Sequence, residues 1–80
     1  MSPTITRSLD LRDLPDGAQL AAAAVAMLAL RRGELLEVLT RDPRVPRDVA
    51  VWCRAAGHRL VSHTVDDGVH RIVIERSEQP

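Results

Sequence analysis

The chain contains no phenylalanine, no tyrosine and no lysine, and only one tryptophan and one cysteine in 80 residues. Each scarcity excludes something. Without Phe or Tyr, the core has to come from Leu, Val, Ile, Ala and Met, with Trp52 as its one large ring. A single cysteine, Cys53, forbids a disulfide framework within the chain and any multi-cysteine metal site. All eleven cations are arginine and are balanced by eleven carboxylates. With no net charge, nothing steers the chain toward nucleic acid or an acidic membrane. The longest apolar run, Leu20 to Leu30, has eleven residues, against about 20 needed to cross a bilayer. Met1–Ser8 lacks the basic start and apolar stretch of a secretory signal, so the expected location is cytoplasmic. There is no Gly-rich phosphate loop and no supported Ser-His-Asp arrangement, and no cofactor is expected.

What is present suits one small domain, because 80 residues hold a single core. The expected domain is 1–80, with a core over about 4–76 and a loose tail at 77–80. Weak alternation over Thr4–Arg12 predicts the first strand. Asp16 and Gln19 have the spacing of a capping box, which places Asp16 at the N-cap of a helix over Ala18–Arg32 ended by Gly33. Arg31 and Arg32 then fall in the last turn, where cations suit the helix dipole. Glu34–Thr40 reads as the second strand. Asp42-Pro43 breaks the chain, and Pro46 suits the first turn of a second helix that runs to Ala56 and stops at Gly57. Asp48 is expected in that first turn. His58–Val65 and Val69–Arg76 are the third and fourth strands, joined by an Asp67-Gly68 hairpin turn. The order βαβαββ predicts an α/β two-layer sandwich, with two helices on one face of a four-stranded mixed sheet.

Four features carry candidate chemistry. Cys53 lies on the apolar stripe Val45, Val49, Trp52, Cys53, Ala56 of the second helix. It reads either as a buried small hydrophobe or as a reactive thiol. A two-residue hairpin turn puts Val61, His63 and Val65 on the same face as His70, Ile72 and Ile74. His63 and His70 are then cross-strand or diagonal neighbours. They read either as partly solvated imidazoles or, with Cys53, as an incomplete zinc set lacking a fourth ligand. On the first helix, Leu20, Ala24, Met27 and Leu28 form the expected core stripe. The opposite side, Ala18, Ala22, Ala26 and Ala29, is either harmlessly exposed alanine or a flat surface for a second copy or another protein. Residues 40–48 form a charged connection, read as a solvated turn or as a recognition loop beside the first helix tip.

Several short pieces occur together in one order. They are Leu9-Asp10-Leu11-Arg12 before the first helix, Gly33-Glu34 at the second strand, Asp42-Pro43 with Asp48 after it, Gly57-His58, and Asp67-Gly68-Val69. In this the chain resembles the TusA/SirA-type small sulfur carriers over roughly Leu9 to Arg76. The resemblance implies the same βαβαββ fold and a persulfide relay between proteins, in which the cysteine of a Cys-Pro-x-Pro motif at the start of the first helix carries the sulfur. Here the corresponding positions read Asp16-Gly17-Ala18-Gln19. A carboxylate forms no persulfide, and Cys53 does not match the relay cysteine. His63 also stands where the family tends to place an apolar residue. The expectation is therefore a non-catalytic binding or accessory module. It would dock on a sulfur-relay protein or on itself through the first helix, with neither nucleic acid nor membrane as partner. The alternatives are a sulfurtransferase or carrier using Cys53, or a vestigial paralogue.

Overall fold

The computed structural model describes residues 4–77, apart from the side chain of Asp16. The elements are β1 (Arg7–Asp10), α1 (Asp16–Leu28), β2 (Leu35–Thr40), α2 (Arg44–Ala56), β3 (Arg59–Asp66) and β4 (Val69–Glu75). They form one four-stranded sheet in the order β1-β2-β4-β3. β1 runs parallel to β2, and β4 lies antiparallel to both β2 and β3. β3 is therefore parallel to β2, and β4 fills the gap that the α2 connection leaves between them. The expected α/β sandwich is the observed one.

Side chains directly opposite in the ladder share a face. Leu36 pairs with Ile74 and Val38 with Ile72, and all four are fully buried. They meet Ala23, Ala26 and Met27 of α1 and Val45, Val49 and Cys53 of α2 in one core cluster. On the helix-free face, Glu37 accepts from Ser8 Oγ at 2.7 Å and pairs with Arg71 at 3.2 Å. These polar side chains lie on the same face as Leu35 and Val73, which are also buried.

α2 follows its sequence closely. Pro46 lies in the first turn, and the helix stops at Gly57 in the left-handed region, φ 84°, which a residue without Cβ adopts at no steric cost. The Gly57 and His58 amides both donate to the Cys53 carbonyl, at 2.9 and 2.8 Å. Asp48 is not in the first turn, which holds no acidic residue. Asp42, just before the helix, meets that end instead by accepting from the Arg44 amide at 2.9 Å. The hairpin has positive φ at both Asp67 and Gly68, 52° and 76°, as a two-residue type I′ turn requires.

α1 departs from expectation at both ends. It starts at Asp16, with Pro15 as N-cap and no side-chain cap. It ends at Leu28, before Arg31, Arg32 and Gly33. The last turn tightens, with the Ala29 amide donating to Ala26 O and the Leu30 amide to Met27 O, and this turns Leu30 into the core. The freed carbonyls of Met27, Leu28 and Leu30 accept from the Arg76 guanidinium at 3.0, 3.1 and 2.6 Å. A cation from the far end of the chain thus does what Arg31 and Arg32 were expected to do. Gly33 serves the turn into β2, its amide donating to Arg76 O.

The helix is also rotated. Its buried residues are Gln19, Ala23, Ala26 and Met27, followed by Leu30 beyond its end, while Leu28 is 73% exposed. Ala26 therefore belongs to the core and not to an outer alanine face. β3 carries a further correction. The ladder slips between Leu60 and Ser62, so Val61 is the extra residue of a bulge and Leu60, not Val61, lies opposite Ile74. Finally, Ser77 is anchored and not loose: its amide donates to His58 Nδ1 and its hydroxyl to Gly57 O, both at 3.3 Å. Residues 78–80 of the expected tail lie outside the described residues.

Candidate functional site

The start of α1, the end of β1 and the β2–α2 connection meet at one end of the sheet. Parallel pairing of β1 with β2 dictates this, because both strands finish there. Leu11 anchors the first loop. It is fully buried, and its amide donates to Leu39 O at 2.8 Å. Asp10 clamps Arg12: Oδ1 accepts from the Arg12 amide and Nε at 3.0 and 2.9 Å, and Oδ2 from Nη2 at 2.7 Å. Asp42 and Arg44 repeat the arrangement before α2. Each Asp-x-Arg triplet holds its guanidinium in a bidentate grip. The charge-assisted bonds from Arg12 hold the Asp10 carboxyl down at about 2 and raise the Arg12 pKa in turn.

The two loops are joined through Gln19, which is 3% exposed. Its Nε2 donates to Leu14 O at 3.0 Å, and its Oε1 accepts from Thr40 Oγ1 at 2.6 Å. Thr40 Oγ1 in turn accepts from the Asp42 amide at 3.1 Å. The Gln19 side chain is thus committed inward and does not reach back to the helix start as a capping box requires. The Asp16 half of that expectation lies outside the described residues. Arg41 extends the frame to the hairpin, donating to Asp67 O at 3.3 Å.

An open groove of about 470 Å³ runs along this frame, lined by Arg12, Leu14, Gln19, Arg41, Asp42 and Arg44 among others. A second, of about 230 Å³, lies against Gly17, Leu20 and Asp48, and shares Asp42 and Arg44 with the first. The first turn of α1, with exposed Gly17 and Ala18, therefore contributes to both hollows, through Gln19 to the first and Gly17 to the second. A helix start suits an anion or a thiolate, but position 16 is aspartate.

Cys53 is elsewhere, 2% exposed among the core residues of α2. Burial pushes its thiol up to about 11, which opposes nucleophilic chemistry. The absence of Lys and Tyr makes this measurable, since nothing else on a side chain titrates between pH 9 and 11. Below the thiol's usual value near 9 both states hold the proton. Above it the unfolded chain loses the proton while the folded chain keeps it. Unfolding free energy is therefore expected to fall by about 1.4 kcal/mol per pH unit as pH rises from about 9 toward about 11. In Cys53→Ala the alkaline slope should vanish. A wild-type slope equal to that of Cys53→Ala in urea titrations would contradict a buried protonated thiol. Cys53→Ser should cost about 1–3 kcal/mol, from burying an under-satisfied hydroxyl.

His63 and His70 do come together, as diagonal neighbours: His63 lies opposite Ile72, and His70 opposite Val65. His63 Nε2 and His70 Nδ1 are 2.9 Å apart. Cys53 does not join them, and among the described residues no three His, Cys, Asp or Glu side chains come together as a metal set. Of the expected contact residues on α1, Ala18 and Ala29 are exposed, Ala22 is half-buried against the core, and Ala26 is buried. Ala21, Val25 and Leu28 are exposed as well, with Val25 66% exposed. Beside them an apolar groove of about 440 Å³ opens between Leu9 of β1 and Val25 of α1. Sequence reasoning missed the role of Thr40 and the paired arginines. The repeated Asp-x-Arg triplet was the available signal. Among the described residues no helix is long and apolar enough to cross a membrane.

The family model described as sulfurtransferase TusA matches residues 7–76. Two proteins from Neisseria meningitidis, of serogroups A and B, are each 30% identical over 70 residues. The match covers 88% of this chain and 95% of theirs, and both are assigned by inference as sulfur carriers. A protein from Archaeoglobus fulgidus with the same kind of assignment is 36% identical over 44 residues, covering 55% of this chain and 60% of its own. The crystal structure of a SirA-like protein from Desulfitobacterium hafniense superposes with a TM-score of 0.79 at 17% identity. It covers 91% of this chain and all of that one, which is agreement in fold.

Proposed function

Since the chain belongs to the sulfurtransferase TusA family, we propose that it is a member without the persulfide-carrying thiol, acting in the cytoplasm as a binding or accessory module of a sulfur relay. The observation that carries this reading is the division between position and thiol. The first residue of α1 is Asp16, and the chain's one cysteine is buried in the core with its pKa raised to about 11. A relay thiol has to be ionised and reachable, and Cys53 is neither. Around the α1 start, Gln19, Thr40 and both Asp-x-Arg clamps form one bonded frame. That supports retained docking of a relay protein at this end without sulfur chemistry. The exposed strip Ala18, Ala21, Val25 and Leu28 supports a second contact, with a partner or another copy.

Two measurements test the reading. Incubation of native protein with a cysteine desulfurase and cysteine should leave its mass unchanged. A gain of one sulfur atom on Cys53 would sink the accessory reading in favour of a carrier. Val25→Glu places a charge in the middle of the exposed strip, where burial at a contact is costly. It should leave thermal unfolding near wild type and abolish self-association or relay-protein binding in sedimentation experiments. Equal association by wild type and Val25→Glu would remove the strip from the interface.

A further inference from the structure

His63 and His70 belong neither to the core cluster nor to the bonded frame at the α1 start. His63 and His70 project from adjacent antiparallel strands on the helix-facing side of the sheet, past the part that the core covers. His63 is exposed and His70 half-buried. The ring centres are 5.2 Å apart and the planes differ by 26°. With facing nitrogens at 2.9 Å, the rings meet nitrogen to nitrogen in a shared N–H···N bond and do not lie one above the other. One ring donates while the other presents a lone pair.

We propose that His63 and His70 form a two-histidine chelating site for a divalent cation of the Cu(II) or Ni(II) class. Three observations carry it. The two donor nitrogens are already neighbours, because the hydrogen-bonded ladder between β3 and β4 sets both Cα positions. The separation also fits. With metal–nitrogen bonds of roughly 2.0–2.1 Å, two nitrogens 2.9 Å apart subtend about 90° at the metal, the cis angle of tetragonal geometry and not the wider tetrahedral angle of zinc. Finally, solvent reaches the pair, so water can fill the remaining positions; among the described residues no third His, Cys, Asp or Glu stands by to do so.

Binding requires two small changes. The bridging proton leaves the facing nitrogen of the donor ring, and a proton is taken up on that ring's remote nitrogen, which keeps both imidazoles neutral. The rings then turn so that both lone pairs meet on the metal. The protein gains and loses no net proton, the complex carries the two charges of the cation, and nothing is oxidised. His70 lies directly opposite Thr40 on β2, and Thr40 holds Gln19 of the α1 start. The cation would therefore sit one strand from the frame that shapes the proposed docking end, although its binding does not depend on that reading.

The test uses the full untagged chain titrated with Cu(II) and, separately, Ni(II) chloride. Calorimetry should give one cation per chain. His63→Gln and His70→Gln should each weaken binding about tenfold or more, because each removes one arm of the chelate, and His58→Gln should not. His58 is the internal control, engaged with Ser77 and Trp52. A readout free of variants is proton NMR of the wild type. Substoichiometric Cu(II) should broaden the His63 and His70 ring signals and spare those of His58. The proposal is overturned if the glutamine variants bind as tightly as wild type, if no binding is detected, or if all three histidines broaden together. Binding carried by the amino terminus would appear as the first of these results.

Discussion

Gln19→Ala is expected to lower unfolding free energy by about 3–4 kcal/mol, from loss of one buried and one part-buried hydrogen bond and the packing of a long side chain. Gln19 links Leu14 of the loop before α1 to Thr40 at the end of β2, beside the backbone bond from Leu11 to Leu39 O. It donates to Leu14 O and accepts from Thr40 Oγ1. Thr40 is fully buried, so its hydroxyl has no water to turn to. Truncation leaves the buried Thr40 hydroxyl proton without an acceptor, worth about 1–3 kcal/mol, and removes the part-buried bond to Leu14 O. A chain of this size holds on the order of 4–12 kcal/mol in total, so the loss is a large share. Urea unfolding measures it. Hydrogen exchange should also show the segment from Leu14 into the first turn of α1 opening more often than the rest of the helix. Gln19→Glu should recover part of the loss and not all of it. A carboxylate still accepts from Thr40 but has no proton for Leu14 O. A Gln19→Ala midpoint within about 0.5 kcal/mol of wild type would mean that the two loops are held by other contacts.

Asp16→Cys is expected to give the chain a reactive thiol at the start of α1. Position 16 opens α1, where unpaired amides and the helix dipole favour the thiolate. The installed thiol should ionise near pH 7, well below the free value of about 8.5, whereas Cys53 is held up at about 11. At neutral pH the new thiol should therefore be alkylated at least about 100-fold faster than Cys53. In the Cys53→Ala background it should accept sulfur from a cysteine desulfurase. Uptake at position 16 would support the view that the docking end is intact and that only the nucleophile is missing. Rapid alkylation without sulfur uptake would place the defect in partner docking. An unshifted thiol pKa would show that the helix start does not activate an anion in this chain.

Much of this protein was open to reading along the chain. Asp67-Gly68 specified the two-residue hairpin because both positions need positive φ, and that register made neighbours of His63 and His70. Val45, Val49 and Cys53 specified the buried side of α2, because charged residues around them mark the other side. α1 was harder for the opposite reason. From Leu20 to Leu30 it has no charged residue, so its sequence carries no mark of which side faces water. The expected stripe was misplaced enough to put buried Ala26 outside and exposed Leu28 inside.

The sequence by itself determined the element order, the hairpin, the end of α2 and the absence of a thiol at the start of α1. These follow from local rules of backbone conformation, side-chain periodicity and chemical identity. The tertiary structure alone decided the rest. It turned α1 and ended it at Leu28, where Arg76, 48 residues along the chain, takes up the carbonyls. It drew Gln19 away from the helix cap to Thr40, and it inserted the bulge between Leu60 and Ser62. In each case the governing interaction joins residues distant in sequence. Buried polar groups have to find partners wherever the packed core leaves them, and no local pattern records where that will be.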